Sequence, residues 1–189
     1  MLRIRVLSTL LAAATLALAT ACEEAPDYPE EPSIEFKSLT AERVNPTDGN
    51  TPYNIITLTI SYKDGDGDLG LSEDDRKSPP FNDTRPNSYN EYHFNYLVKL
   101  YWFNNATQQF ELYNVPFLSY DGAFPRLLKD TDKPQPIRGD IVYQPGGTSG
   151  LTITTPQFRP GNRIKYQVQI IDRAQHKSNV LMTDELVLP

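Results

Sequence analysis

The chain has 189 residues, a formal net charge of −6, and 18 basic against 24 acidic side chains. That length suits one domain, and the acidic balance argues against nucleic acid and against an anionic membrane surface as ligands. The one cysteine, Cys22, rules out an internal disulfide.

At the N-terminus, Arg3 and Arg5 precede an apolar run, Leu10–Ala19, and the small residues Ala19-Thr20-Ala21. A charged segment, a short apolar segment and a small-residue site predict a secretory signal peptide over residues 1–21. The apolar run is too short to span a bilayer. Cys22 follows at once, and this arrangement resembles the lipobox of bacterial lipoproteins, with Ala19 where that family usually has leucine and Leu18 one residue earlier. The resemblance implies that Cys22 becomes the first mature residue, carrying a thioether-linked diacylglycerol and usually an amide-linked acyl chain. It also implies an outer-membrane lipoprotein, on the cell surface or the periplasmic face. Two or more acyl chains give stable anchoring. Removal of 21 residues leaves 168, with 16 bases against 24 acids.

Residues 22–33 are then the lipidated cysteine and an acidic, proline-rich linker, Glu23-Glu24-Ala25-Pro26-Asp27-Tyr28-Pro29-Glu30-Glu31-Pro32-Ser33. Nothing in it is expected to be buried. Proline keeps such a segment extended at about 3.1 Å per residue, which holds the domain roughly 30 Å from the lipid. The acids after Cys22 also resemble the tag that sends some Gram-negative lipoproteins to the cell surface; a plain solvated tether accounts for them equally well.

Residues 34–189 read as one all-β domain. Ile34, Phe36 and Ser38 alternate with Glu35 and Lys37; Ile56, Leu58, Ile60 and Tyr62 alternate with Thr57, Thr59 and Ser61. This period of two with β-branched enrichment predicts strands. Tyr92–Phe103 is a longer strand with Phe94, Tyr96, Val98, Leu100 and Trp102 on one side. Asn104-Asn105-Ala106-Thr107 makes a turn, and Gln109–Val115 is the hairpin partner. Gly139–Tyr143, Leu151–Thr155, Ile164–Ile171 and Asn179–Leu188 complete the set, with prolines in the gaps, where no ladder amide is needed. Gly146-Gly147-Thr148-Ser149-Gly150 lacks the Lys-Ser/Thr ending of a phosphate loop and reads as a hairpin turn. Phe124–Lys129 is at most one helical turn. Strands of this number and spacing predict a two-sheet antiparallel sandwich with two long loops, Ser72–Glu91 and Ser119–Arg138.

The segment Tyr166–Leu188 resembles the last two strands of immunoglobulin-like and fibronectin type III-like modules: a strand ending in Asp172, a turn through Ala174-Gln175-His176, Ser178-Asn179, then the final strand. The resemblance implies an immunoglobulin-like β-sandwich, with Trp102 in the core and Tyr166 placed for a tyrosine corner.

The candidate site is Asp64-Gly65-Asp66-Gly67-Asp68, followed by Glu73, Asp74 and Asp75 with no base before Arg76. Close carboxylates repel by about 1 kcal/mol per pair in water, more if partly buried. Calcium relieves this with six to eight oxygen ligands, and glycine-rich loops supply them. An EF-hand is excluded, because Leu69 stands where that loop needs glycine and Tyr62-Lys63 end a strand. The loop after the second strand and the turn after the penultimate one lie at the same end of an immunoglobulin-like sandwich, so Asp172 is expected to join Asp64, Asp66 and Asp68 around one calcium ion. The competing reading is turn chemistry alone, with Gly at positive φ and Asp bonding its own backbone.

His93 and His176 are 83 residues apart, a poor spacing for zinc. The serines lack a Gly-x-Ser-x-Gly context. Aromatic Tyr89, Tyr92, Tyr101, Phe103, Tyr113 and Tyr120 form either a sugar-stacking platform or ordinary sheet packing. The expected function is a non-enzymatic, lipid-anchored envelope module stabilised by calcium, with a membrane contact through the anchor and an envelope protein or glycan as partner. The alternative is a glycan-binding accessory of a nutrient-uptake system, using Tyr101, Trp102 and Phe103. A glycoside hydrolase would need two carboxylates about 5–9 Å apart in a cleft, and no such pair is legible outside the acidic loop.

Overall fold

The computed structural model describes residues 26–82, 90–116, 118–129 and 133–189; the expected signal peptide, Cys22 and Tyr89 lie outside the described residues. In chain order the strands are β1 (Ser33–Val44), β2 (Tyr53–Asp64), β3 (Tyr96–Asn104), β4 (Gln109–Leu112), β5 (Ile137–Tyr143), β6 (Leu151–Thr152), β7 (Arg163–Ile170), β8 (Leu181–Met182) and β9 (Leu186–Val187). One sheet has the order β1-β2-β5 with β6 also on β2; the other has β4-β3-β7-β8 with β9 also on β7. All pairs are antiparallel. This is the expected two-sheet sandwich, and the strand order follows the A-B-E and C′-C-F-G order of immunoglobulin-like modules.

The core lies between the sheets, where alternation places it. Ile56, Leu58 and Ile60 of β2 face Tyr96, Val98 and Leu100 of β3 and Ile164, Tyr166, Val168 and Ile170 of β7 in one buried cluster. Each aliphatic side chain so buried contributes about 1.5–3 kcal/mol before the entropy of ordering it. A one-residue slip in β2 would put Thr57 and Thr59 into that cluster.

Several boundaries differ from expectation. Strand β3 starts at Tyr96, because Glu91–His93 forms a 3-10 turn whose N-cap Asn90 accepts from Tyr92 N. The expected last strand breaks into β8 and β9, because Thr183 turns inward, accepting from Tyr166 N through its hydroxyl. Gly146–Gly150 is no hairpin turn. β5 and β6 both lie along β2, so this segment is an excursion within one interrupted strand line. The linker is shorter than expected, since Pro32 is buried and Ser33 already belongs to β1. Trp102 points inward but only half-buries at the core margin; Tyr96 and Tyr166 fill the centre. Tyr166 makes no tyrosine corner, for its hydroxyl is buried without a hydrogen bond and its ring meets Tyr120 edge-on at 6.4 Å.

Candidate metal centre

The last residue of β2 is Asp64, which pairs in register with Ile137 of β5. Its inward position, continuing the face of Ile60, leaves it fully buried. Both carboxylate oxygens lack a hydrogen-bond partner. An ionised carboxylate in that setting is costly, which favours the protonated form. Burial first, then the charges of Asp66, Asp68 and Asp172, push the Asp64 carboxyl up to about 7; the Gly67 amide acts the other way without reaching hydrogen-bond geometry.

The loop then doubles back. Asp66 Oδ1 accepts from Asp68 N at 3.3 Å, the local turn bond expected of Asp in a glycine-rich segment. Asp68 Oδ2 accepts from Ala174 N at 2.9 Å, while its Oδ1 is buried and unpaired. Burial and Asp66 raise the Asp68 carboxyl; the Ala174 amide and the Arg173 guanidinium hold it down. One oxygen from each of Asp64, Asp66 and Asp68 lies within 4.8 Å of the others, so the cluster can hold a metal ion.

Asp172 is brought to the same pole, as the chain order implied. Leu69 and Asp172 form an antiparallel backbone bridge. Its carboxylate is engaged, however: Oδ1 accepts from His176 N at 2.7 Å and Oδ2 meets His176 Nδ1 at 3.0 Å. Burial, then Asp68, raises the Asp172 carboxyl to about 6 against the opposing His176 bonds. Asp172 in turn raises the His176 imidazole.

Three further segments frame the loop. Gln135 N donates to Asp66 O at 3.1 Å, Leu127 N to Leu69 O at 3.1 Å, and Leu71 N to Phe124 O at 3.0 Å. The buried Asn95 amide anchors that segment, giving and receiving a 2.9 Å bond with the Phe124 backbone. From the other side the linker arrives. A Cβ at Gly65 would overlap the backbone carbonyls of Tyr28 and Pro29, so only glycine lets the two chains approach. Gly67, at φ 75°, is hemmed in by Leu128 and the Gln135 carbonyl. An opening of about 180 Å³ lies beside Asp66 and Asp68, lined also by Arg126, Leu128, Lys129 and Arg173.

The other acids of the stretch go elsewhere. Asp75 accepts from Arg126 Nε and a second guanidinium nitrogen at 2.7 and 2.5 Å, which holds its carboxyl far below the usual range. Asp74 pairs with Lys77 on the surface. His93 is structural: its Nδ1 meets Phe81 O at 2.9 Å and its Nε2 accepts from Arg76 at 2.7 Å. Sequence reasoning missed the contacts of Tyr28 and Pro29 with the loop, the Asp75–Arg126 pair and the Asp172–His176 clamp. Only the last left a trace, an Asp and a His four apart across a tight turn.

Among the aromatic residues expected as a platform, Tyr120 is buried and Tyr113 packs on Phe158 at 4.8 Å. Tyr101 and Phe103 share the outer face of their sheet, and Arg163 stacks 3.5 Å above the Phe103 ring. No protein-family model, curated protein or solved structure matches the chain.

Proposed function

We propose that this chain is a lipid-anchored, non-enzymatic β-sandwich module of the bacterial outer membrane whose loop pole is locked by calcium. The observation that carries the calcium reading is Asp64, fully buried with two unpartnered oxygens beside the carboxylates of Asp66 and Asp68. Oxygens sharing one calcium at roughly 2.4 Å lie at most about 4.8 Å apart, and the three aspartates meet that limit. An all-oxygen set in a glycine-interrupted loop suits calcium, whereas zinc takes nitrogen and sulfur. Asp172 adds negative charge beside the cluster, but both its oxygens are held by His176 and it lies outside the three-aspartate group that meets this limit. The ion's role is structural: it fixes the loop after β2, whose Asp68 accepts from Ala174 N in the turn after β7.

The anchor reading is supported by the charged and apolar N-terminal segments and by Cys22 directly after Ala19-Thr20-Ala21. The acidic mature chain is repelled by anionic lipid, so the acyl chains hold it while the domain faces outward toward a glycan or an envelope protein.

Titration calorimetry of the mature chain with calcium chloride tests the site. One bound ion, lost in Asp64→Asn, is the expected result; the absence of heat and of any melting shift at millimolar calcium refutes it. Labelling with radioactive palmitate tests the anchor: Cys22→Ser should abolish incorporation, and persistent label would sink that assignment.

A further inference from the structure

Away from the acidic pole, the outer face of the β4-β3-β7-β8 sheet carries a cleft of about 400 Å³, within the range of small-molecule sites. Its floor is two cross-strand pairs, Leu97 opposite Gln169 and Lys99 opposite Gln167. Its walls are the chain leaving β4 at Leu112–Asn114 and the chain returning at Leu118–Asp121. Both walls are pinned to β3: Tyr113 N donates to Leu100 O at 2.8 Å, and Gly122 exchanges bonds of 2.9 and 3.0 Å with Tyr96.

Each glutamine is fixed by one half of its amide. Tyr101 Oη donates to Gln167 Oε1 at 3.1 Å, which leaves the Gln167 NH2 group as a donor. Gln169 Nε2 donates to Ser178 O at 2.8 Å, which leaves its Oε1 as an acceptor. The tethers are preorganisation: the ordering cost is met before a ligand arrives. The cleft thus combines one fixed donor, one fixed acceptor and the Lys99 ammonium with the apolar side chains of Leu97, Leu112 and Leu118.

We propose that this cleft binds a neutral oligosaccharide of two or three units. Hydroxyl groups both donate and accept, so they satisfy the two amides together, while the C–H faces of a pyranose cover the leucines. An added peptide strand is disfavoured, because Asp121 Oδ1 already occupies Val98 N on the β3 edge at 2.6 Å. A polyanion is disfavoured because Glu91 and Asp121 line the cleft with the single Lys99. Both carboxylates of the cleft have partners, Glu91 with Lys177 at 2.9 Å and Asp121 with Val98 N and with the Ser119 hydroxyl at 2.7 Å, which favours binding over cleavage.

An array of neutral gluco-, manno-, galacto- and xylo-configured di- and trisaccharides, followed by calorimetry on the best binder, tests this with the full mature chain. Binding of one configuration, weakened about tenfold or more in Gln169→Leu and in Gln167→Leu with the native circular dichroism spectrum retained, is expected. Gln169→Glu keeps an acceptor but cannot donate to Ser178 O, so loss of the tether should weaken binding as well. Failure of every sugar at about 10 mM, capture only of anionic polymers or peptides, or equal affinity in both leucine variants overturns the assignment. The same result with calcium and with chelator separates this site from the acidic loop.

Discussion

Leu69 and Asp172, 103 positions apart in the chain, are paired backbone to backbone in an antiparallel bridge. That pairing lays the connection after β2 against the turn after β7 and brings four carboxylates to one pole. Held there without a counter-ion, they work against the fold. Calcium at 100 times its dissociation constant should add about 2.7 kcal/mol, a rise of roughly 5–10 °C in melting temperature for a domain of this size. Calorimetric scans with calcium and with chelator measure it, and superimposable scans would count against the site.

Asp64→Asn separates the two roles of that carboxyl. The variant keeps the shape and removes the buried charge, so at pH 8 without metal it should melt higher than the parent by the equivalent of about 1–3 kcal/mol. It should also lose the calcium response. A variant that melts lower in chelator and still responds to calcium contradicts the arrangement around Asp64.

The pH dependence has a definite sign. Asp64 is raised to about 7 and Asp172 to about 6 in the fold, against about 3.9 in the unfolded chain. Between those values the native state holds more protons, so the contribution of these two groups to metal-free stability is fully present below about pH 4 and is lost as pH rises through 6 and 7. His176, raised by Asp172, loses its contribution in the same direction. Calcium needs the ionised carboxylates and opposes the trend. Urea unfolding from pH 5 to pH 8 should show a declining metal-free curve and a calcium increment that grows with pH. A metal-free curve that climbs over this range would reverse the assignment.

Gly65→Ala forces a methyl group against the Tyr28 and Pro29 carbonyls. The linker must lift or the loop must shift, at about 1–3 kcal/mol. Deleting residues 23–31 removes the obstruction, so Gly65→Ala should cost far less in that background. Limited proteolysis should cut the linker faster in the full-length variant. Equal destabilisation with and without the linker would mean that the glycine serves only its own loop.

Tyr166→Phe removes a buried hydroxyl that bonds to nothing among the described residues. With the ring retained, the change should be neutral or stabilising by about 1 kcal/mol. A tyrosine corner would instead lose a hydrogen bond and destabilise. Equilibrium unfolding distinguishes the two outcomes.

The strand pattern was legible in residues 54–62 and 164–170 because side chains on a half-buried sheet alternate, and alternation is a local property. The acidic loop was legible for the same reason: Asp64, Asp66 and Asp68 are neighbours in the chain. Tertiary structure alone decided how the other charges were spent. Asp75 went to Arg126, 51 residues on, and Asp172 both joined the pole and gave its oxygens to His176. It also folded Tyr28 and Pro29 onto Gly65 and tied Gln167 and Gln169 to Tyr101 and Ser178. Those outcomes depend on which loops meet when two sheets close on each other, and that geometry leaves no periodic mark on the chain.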